Sequence, residues 1–427
     1  MPVDWSALWK KEDWWALWLG FVILALVATK TLVWIPKISV WSNDLGTAIG
    51  ASNIPYFILL GFSLLLMTSI AILAVGEGLR KYLTGFPIVF ILAFLSQLVA
   101  DQADIKGIGL AYALWALIFG LLVRNIFGIP KFLETAAKGG LFIKVGLVLL
   151  GAEILFDVIL KAGSLGLFEV TIGLAIVWYF CYYVARKLGL TKSLSATMAN
   201  ATSVCGVSAA IAAGGATGAD KKEIGYVISL VLLFAAPMMV LMPVIGRLAG
   251  MSDAVFGAWV GGSIDNTASV VASGALYSEQ AMTIASVVKM SQNVLIGITA
   301  FLLALYWVFK VERSHTSEKP KPIEIWYRFP KFILGFLIAS ILFTFVLVPA
   351  MGTETVTGML TITKGFRGWF FALTFVSIGL STKFSELIKI GKGKPLIAFI
   401  AATVLDLVTS LITAYVFFGG VFFPPPI

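Results

Sequence analysis

The sequence predicts an all-α integral membrane protein of about 13 transmembrane helices, and three observations carry that prediction. Hydrophobic residues make up 59% of the 427, and charged residues only 12%, about half the charged share of an ordinary soluble domain. Mean hydropathy is +0.98. Apolar runs of about 20 residues, the length that spans a bilayer, recur from Trp14 to Gly420. Outer-membrane barrels are excluded, because their strands alternate in short segments.

The chain opens on WKKEDWW. Trp5, Trp9, Trp14, Trp15 and Trp18 read as an interfacial collar, since indole rings favour the headgroup region. Residues 3–12 read as a short amphipathic surface helix. The first apolar run is longer than a signal-peptide core and no small-residue site closes it, so it reads as a retained span. Candidate spans lie near 14–34, 54–76, 86–100, 108–123, 139–161, 165–185, 194–214, 224–246, 254–276, 282–309, 329–349, 366–387 and 396–419. A cytoplasmic N-terminus puts Lys10, Lys11, Arg80, Lys81, Arg124, Lys131, Lys138, Arg186, Lys187, Lys192, Arg247 and the 310–331 cluster inside. That bias is the one short loops show in a bacterial inner membrane. The turn GADKKE, 218–223, is the exception and falls outside with two lysines.

One polar, Pro-containing stretch, VERSHTSEKPKPIEIWYR, reads as a linker. The expected organisation is 1–104 as N-terminal extension spans, 105–310 as a transporter core, 311–328 as a cytoplasmic linker and 329–427 as three closing spans. Two internal matches stand out. VLLGAEILFDVILKAG (148–163) and VSIGLSTKFSELIKIG (376–391) share Val, Gly, Phe, Lys and Gly, and run in opposite directions across the expected spans. Inverted repeats of this kind build many transporters. SVCGVSAAIAAGGATGADKKEIG (203–225) also matches SIDNTASVVASGALYSEQAMTIA (263–285). Thirteen spans make these two parallel, which an inverted repeat forbids.

Two apolar runs look interrupted. MANATSVCGVSAAIAAGG carries small and hydroxyl residues throughout, and AWVGGSIDNTASVVASG carries paired glycines followed by an acid and an amide. Such residues weaken helix continuity, and unwound backbone survives in a membrane only inside protein or beside a wet cavity. Helix-to-helix packing of small residues is the simpler account of ATSVCGVSA. Asp265 is harder to explain away, because an acid within a span is costly unless it is used. It suits H⁺ or Na⁺ coupling, or a structural hydrogen bond to Asn200, Asn266 or Ser203. Lys289 either pairs with it or snorkels to the interface. Gln292 and Asn293 line the same helix. Glu153 shares a helix face with Asp157. Asp406 is either functional or bonded to Thr403 or Ser410.

The remaining motifs exclude classes. The net charge of +9 reads as topology signal, not nucleic-acid binding. Cys181 and Cys205 fall in apolar segments, so neither a disulfide framework nor a Cys-rich metal site is expected. His315 lies in the linker. No phosphate-cradling or zinc-protease motif occurs. The chain is expected to be no enzyme and to need no cofactor.

SVCGVSAAIAA, GGSIDNTASVVASG and VVKMSQNVL together resemble the sulfate-exporter family of bacterial multi-pass membrane proteins. That family is similar in fold to sodium/proton antiporters and bile-acid symporters. The resemblance implies inverted repeats and two interrupted helices crossing near the bilayer centre. It is carried by Cys205, Gly206, Ser208 and Ala209, by Ser263, Ile264, Thr267, Val270, Val271 and Ala272, and by Lys289. The family's His-Asp is Asp265-Asn266 here, its later Arg falls near Gln292, and its basic residue after LLGA is Glu153.

The expectation is a secondary transporter of a small solute, an inorganic or organic anion, coupled to H⁺ or Na⁺. Asn200, Ser203, Cys205, Gly206, Ser208, Ser263, Asn266 and Thr267 would bind solute. Asp265, Lys289, Gln292 and Glu153 would couple the ion, with any Na⁺ near Asp265. The partners would be the lipid bilayer, the solute and the ion, with a homodimer left open. The alternatives are the membrane subunit of a decarboxylase-type sodium pump, or a passive channel.

Overall fold

The computed structural model describes residues 6–107, 112–154, 156–312, 326, 329–383, 385 and 393–424. Most of the 311–328 linker, His315 included, lies outside the described residues, as does much of 384–392.

The longer helices, in chain order, are α1 (Glu12–Ala28), α2 (Ile54–Val75), α3 (Leu79–Ala100), α4 (Tyr112–Leu122), α5 (Gly139–Glu153), α6 (Phe156–Lys187), α7 (Lys192–Asn200), α8 (Val207–Thr217), α9 (Lys221–Leu248), α10 (Asp253–Ser263), α11 (Thr267–Tyr277), α12 (Glu279–Tyr306), α13 (Lys331–Ile341), α14 (Thr353–Ser381) and α15 (Lys394–Phe418). No strand occurs among the described residues. Among the described residues, eight helical stretches are long and apolar enough to cross a membrane, and three shorter apolar helices add to them. Thirteen such helices are not seen among the described residues.

The chain folds as two compact units that interleave in sequence: residues 1–156 with 331–383, and 157–330 with 384–427. These units do not follow the linear divisions expected from the linker. In the first unit, α5 packs on α14, α13 and α1. The α5–α14 pair is antiparallel. Gly139 abuts Ser377 at one end, and Glu153 meets Arg367 at the other. Trp9 and Trp14 stack on Trp18, so these members of the expected tryptophan collar pack as a ring cluster, while Trp5 lies outside the described residues. Helix α14 starts at Thr353, well before the expected 366. Its first turns, TETVTGMLTITKG, are too polar to register as an apolar run.

The second unit overturns the expected geometry of the interrupted runs. Neither passes straight through. The run 192–217 folds back on itself, α7 against α8, with Ala196 packed in one cluster with Ala213. Its two ends meet: Thr191 Oγ1 donates to Glu223 Oε1 at 2.8 Å, and Ser193 Oγ to Glu223 Oε2 at 3.0 Å. A straight helix would separate residues 191 and 217 by about 39 Å, at ~1.5 Å per residue. The run 253–277 does the same. Ser278 Oγ donates to Asp253 Oδ1 at 2.7 Å, and the Phe256 and Tyr277 rings stack with centroids 3.9 Å apart.

Helix α9 separates the open ends of these hairpins. The first opens at its start, beside Glu223. The second opens at its far end, where Arg247 Nη2 donates to the carbonyls of Leu276 and Tyr277. The hairpins therefore point toward each other from opposite ends of a 28-residue helix. GADKKE, expected across the bilayer from Arg186, Lys187 and Lys192, comes back beside them. Hydropathy reports that a segment is apolar, not whether it returns, so two antiparallel arms look like one run.

Candidate functional site at the hairpin tips

Each tip is written into its sequence. In the first, α7 gives way to a widened turn, Ala201–Cys205, and then to Gly206 at φ 55°, ψ −105°. A side chain rarely tolerates that backbone. Here it would also strike the other hairpin: a Cβ on Gly206 would lie 2.0 Å from the Asp265 carbonyl oxygen. In the second, α10 ends at Ser263, and Ile264 and Asn266 are extended on either side of a bend at Asp265. Asn266 Oδ1 then caps α11, accepting from Ser269 N at 3.0 Å and Ser269 Oγ at 3.2 Å. This is the amide role that suits a helix start. The tips thus touch at Gly206 and Asp265. The expected crossing of two interrupted helices is instead a tip-to-tip meeting of two hairpins.

Helix α12 ties the tips together. Lys289, Gln292 and Asn293 lie one turn apart on one face. Lys289 is wholly buried; its Nζ donates to Val204 O at 3.3 Å and bonds Gln292 Oε1. It does not snorkel. Gln292 Nε2 donates to Gly262 O at 3.1 Å and Ser203 O at 3.4 Å, one carbonyl from each hairpin. Asn293 Nδ2 donates to Thr267 Oγ1 at 3.2 Å, and Cys205 Sγ lies 3.8 Å from that same oxygen.

Asp265 is 7% exposed, with Lys289 and Asp406 its electrostatic neighbours, and its Oδ1 accepts no hydrogen bond. None of the structural bonds expected for it to Asn200, Asn266 or Ser203 involves this oxygen. Asn200 instead donates from Nδ2 to Ala209 O at 3.2 Å, clasping the first hairpin. Ser203 and Ser263 bond back into their own helices, to Ala199 O at 2.7 Å and Trp259 O at 2.6 Å. Of the expected solute-binding residues, Ser203, Cys205, Gly206, Ser263, Asn266 and Thr267 come together at the tips. Asn200 sits just behind, and Ser208 is exposed.

Glu153 is the residue the structure places elsewhere. It belongs to the first unit, where Arg367 Nε donates to its Oε1 at 2.9 Å. Spacing links it to Asp157, but the tertiary fold gives it an arginine 214 positions away.

Glu169 was not singled out by the sequence reading. It is 1% exposed on α6, and neither of its carboxyl oxygens has a hydrogen-bond partner. Its signal was available, since it is an acid mid-run in GLFEVTIG, the same irregularity that marks Asp265. Asp406, 3% exposed on α15, accepts from Ser410 Oγ at 3.4 Å. Among the described residues no group of three or more His, Cys, Asp or Glu is placed to hold a metal ion.

The chain is similar to membrane proteins of several bacteria. A UPF0324 membrane protein of Rhodopirellula baltica is 43% identical over 81% of this chain and 65% of its own length. One from Nitratidesulfovibrio vulgaris is 42% identical over 81% of this chain and 61% of its own. The chain thus spans less than two thirds of these two relatives. A UPF0324 membrane protein of Nitrosomonas europaea is 29% identical over 91% of both chains. No solved structure matches. The model of the family described as Conserved hypothetical protein 698 matches residues 84–399, and the chain belongs to that family of multi-pass membrane proteins.

Proposed function

We propose that this chain is a secondary transporter of a small anion, with the solute site between the hairpin tips and Asp265 as the ion-responsive group. The observation that carries the reading is the contact of Gly206 with the Asp265 carbonyl, at the meeting of two half-depth hairpins. Arms of 9 to 11 residues reach about 13–16 Å at ~1.5 Å per residue, half of a hydrocarbon core of about 30 Å. The tips then sit near the bilayer centre, where alternating access requires a site.

The polar groups there favour an anion. The first turns of α8 and α11 present N–H groups unpaired within their helices, and the helix dipoles add positive character. Lys289 lies between them. A solute carboxylate, sulfite or sulfate would take Lys289 from the Val204 carbonyl, which links occupancy to the tip backbone. The sulfate-exporter resemblance fits this class of solute. The Asp265-Asn266 pair, standing where the sulfate-exporter resemblance implies His-Asp, argues for a solute of lower charge than sulfate.

The hairpins also complete a topology. With both counted as re-entrant, eleven helices among the described residues are taken to cross (α1 to α6, α9 and α12 to α15), α4 and α13 being continued by the wider turns Val123–Phe127 and Leu342–Leu347. The N-terminus remains cytoplasmic, and Lys221 and Lys222 join the cytoplasmic lysines. Arg247 moves outside, where its bonds to the last carbonyls of α11 account for it. Hairpin plus following helix, 192–248 and 253–306, become an inverted pair. The 203–225 and 263–285 match then no longer conflicts with direction.

Two experiments test this. In a chain lacking Cys181 and Cys205, Lys192→Cys and Asp220→Cys label from one side of the membrane. Gly250→Cys and Glu279→Cys label from the other. Lys192 and Asp220 labelling from opposite faces would restore a crossing span. In proteoliposomes, Asp265→Asn lowers gradient-driven anion flux by at least about tenfold; unchanged coupled flux removes Asp265 from the mechanism.

A further inference from the structure

Behind the second tip lies a group the solute site does not use. Gly262, two residues before Ile264, is the meeting point. A Cβ there would lie 3.0 Å from Glu169 Oε1 on α6 and 3.0 Å from Ser410 Oγ on α15. Ser410 donates to Asp406, one turn back on α15. Thr403, a further turn back on the same face, is 6% exposed, and its hydroxyl has no partner. The Gly262 carbonyl accepts from Gln292, so this gap is separated from the solute groups by one peptide.

We infer that Glu169 and Asp406, the two acids that Gly262 and Ser410 bring to one place, form a proton-binding pair that couples ion movement to the hairpin tips. The inference rests on the transport reading and names its ion. Three observations carry it. First, Glu169 is sealed from solvent with both oxygens unpartnered, and a bare carboxylate in such surroundings is far costlier than a neutral acid. Second, a metal cation needs several oxygens around it, whereas Glu169 has no polar neighbour within bonding distance. A proton needs only one oxygen and an acceptor to move to. Third, the charges facing the pair set the sense of coupling. These are Lys289 on α12 and Asp265 at the second tip, both acting on Asp406, and Asp406 acting in turn on Glu169. With all ionised, three acids and one lysine leave a net of two negative charges in an enclosed space. An arriving anion raises that charge and a proton lowers it. Each therefore favours the other's binding, and anion and proton travel in the same direction. The step breaks the O–H bond on one carboxyl and forms one on the other, with no change in electron count.

Infrared spectroscopy of the purified full-length chain in nanodiscs tests this directly. At neutral pH the wild type shows the C=O stretch of a protonated carboxyl, and Glu169→Gln loses about one carboxyl of that band. An identical band in both proteins overturns the proposal. Should Glu169→Gln fail to fold, Asp406→Asn must shift the band, because it changes the neighbour of Glu169; an unshifted band overturns the proposal equally. In proteoliposomes with sulfite as the probe anion, a pH gradient drives accumulation. A wild type that moves sulfite under a Na⁺ gradient with no response to pH fails the proton assignment alone. A wild type that moves no sulfite, sulfate or carboxylate fails the transport reading itself.

Discussion

Both units bury acids inside apolar helices, and they treat them oppositely. In the first, Glu153 and Arg367 form an ion pair at 2.9 Å, with side chains 12% and 5% exposed, and the guanidinium lies over the Phe371 ring. In the second, Asp265 has one oxygen and Glu169 both oxygens without a hydrogen bond. Lys289, the buried base nearest Asp265, spends its donors on a carbonyl and an amide. A satisfied pair has one low-energy arrangement and holds two helices in register. On the transport reading proposed above, the unsatisfied acids change charge state and the surrounding backbone responds. The difference separates a group that fixes structure from one that can change it, although both register in the sequence as an acid in a hydrophobic run.

The largest effect should come from breaking the settled pair. Arg367→Met takes the guanidinium away from the largely buried Glu153 carboxylate, and should cost about 3–5 kcal/mol in a thermal or denaturant melt of the purified protein. Adding Glu153→Gln should recover most of it. A single mutant as stable as the wild type would remove the contrast between the units. Next comes the tip contact. Gly206→Ala forces a side chain into a positive-φ position and against the Asp265 carbonyl, with an expected cost of about 2–4 kcal/mol and loss of anion flux. A variant with full stability and flux would mean that the tips do not meet as closely as 2.0 Å implies. The smallest stability change belongs to Asp265→Asn, which keeps the shape and removes only a poorly satisfied charge. It should shift stability by less than about 1 kcal/mol while abolishing coupled flux. A large destabilisation would make Asp265 a structural acid like Glu153.

Much of the site was legible before any tertiary information. SVCGV and SIDNT mark breaks because Gly206 and the Asp265-Asn266-Thr267 run disfavour a continuing helix, and Asn266 is a helix cap by its chemistry. The 203–225 and 263–285 match was legible too, with its contradiction about direction attached. What hid the answer was the assumption that every apolar run crosses. GADKKE, two lysines on the side opposite the other basic loops, joined that contradiction as a sequence-level hint that the first run returns. The partner of Glu153 was illegible, because nothing local announces an arginine 214 residues on.

The sequence by itself determined that the chain is a multi-pass α-helical membrane protein, where its helices break, and which acids lie within apolar runs. Those are local matters of hydropathy and backbone preference. Only the tertiary structure decided that the breaks are hairpin tips, that they meet at Gly206 and Asp265, that Glu153 is paired, and that Glu169 is not. Whether a short helix continues across or turns back depends on what its far end packs against. Thr191 against Glu223 and Asp253 against Ser278 are contacts between residues 32 and 25 apart, respectively, beyond the reach of any local pattern.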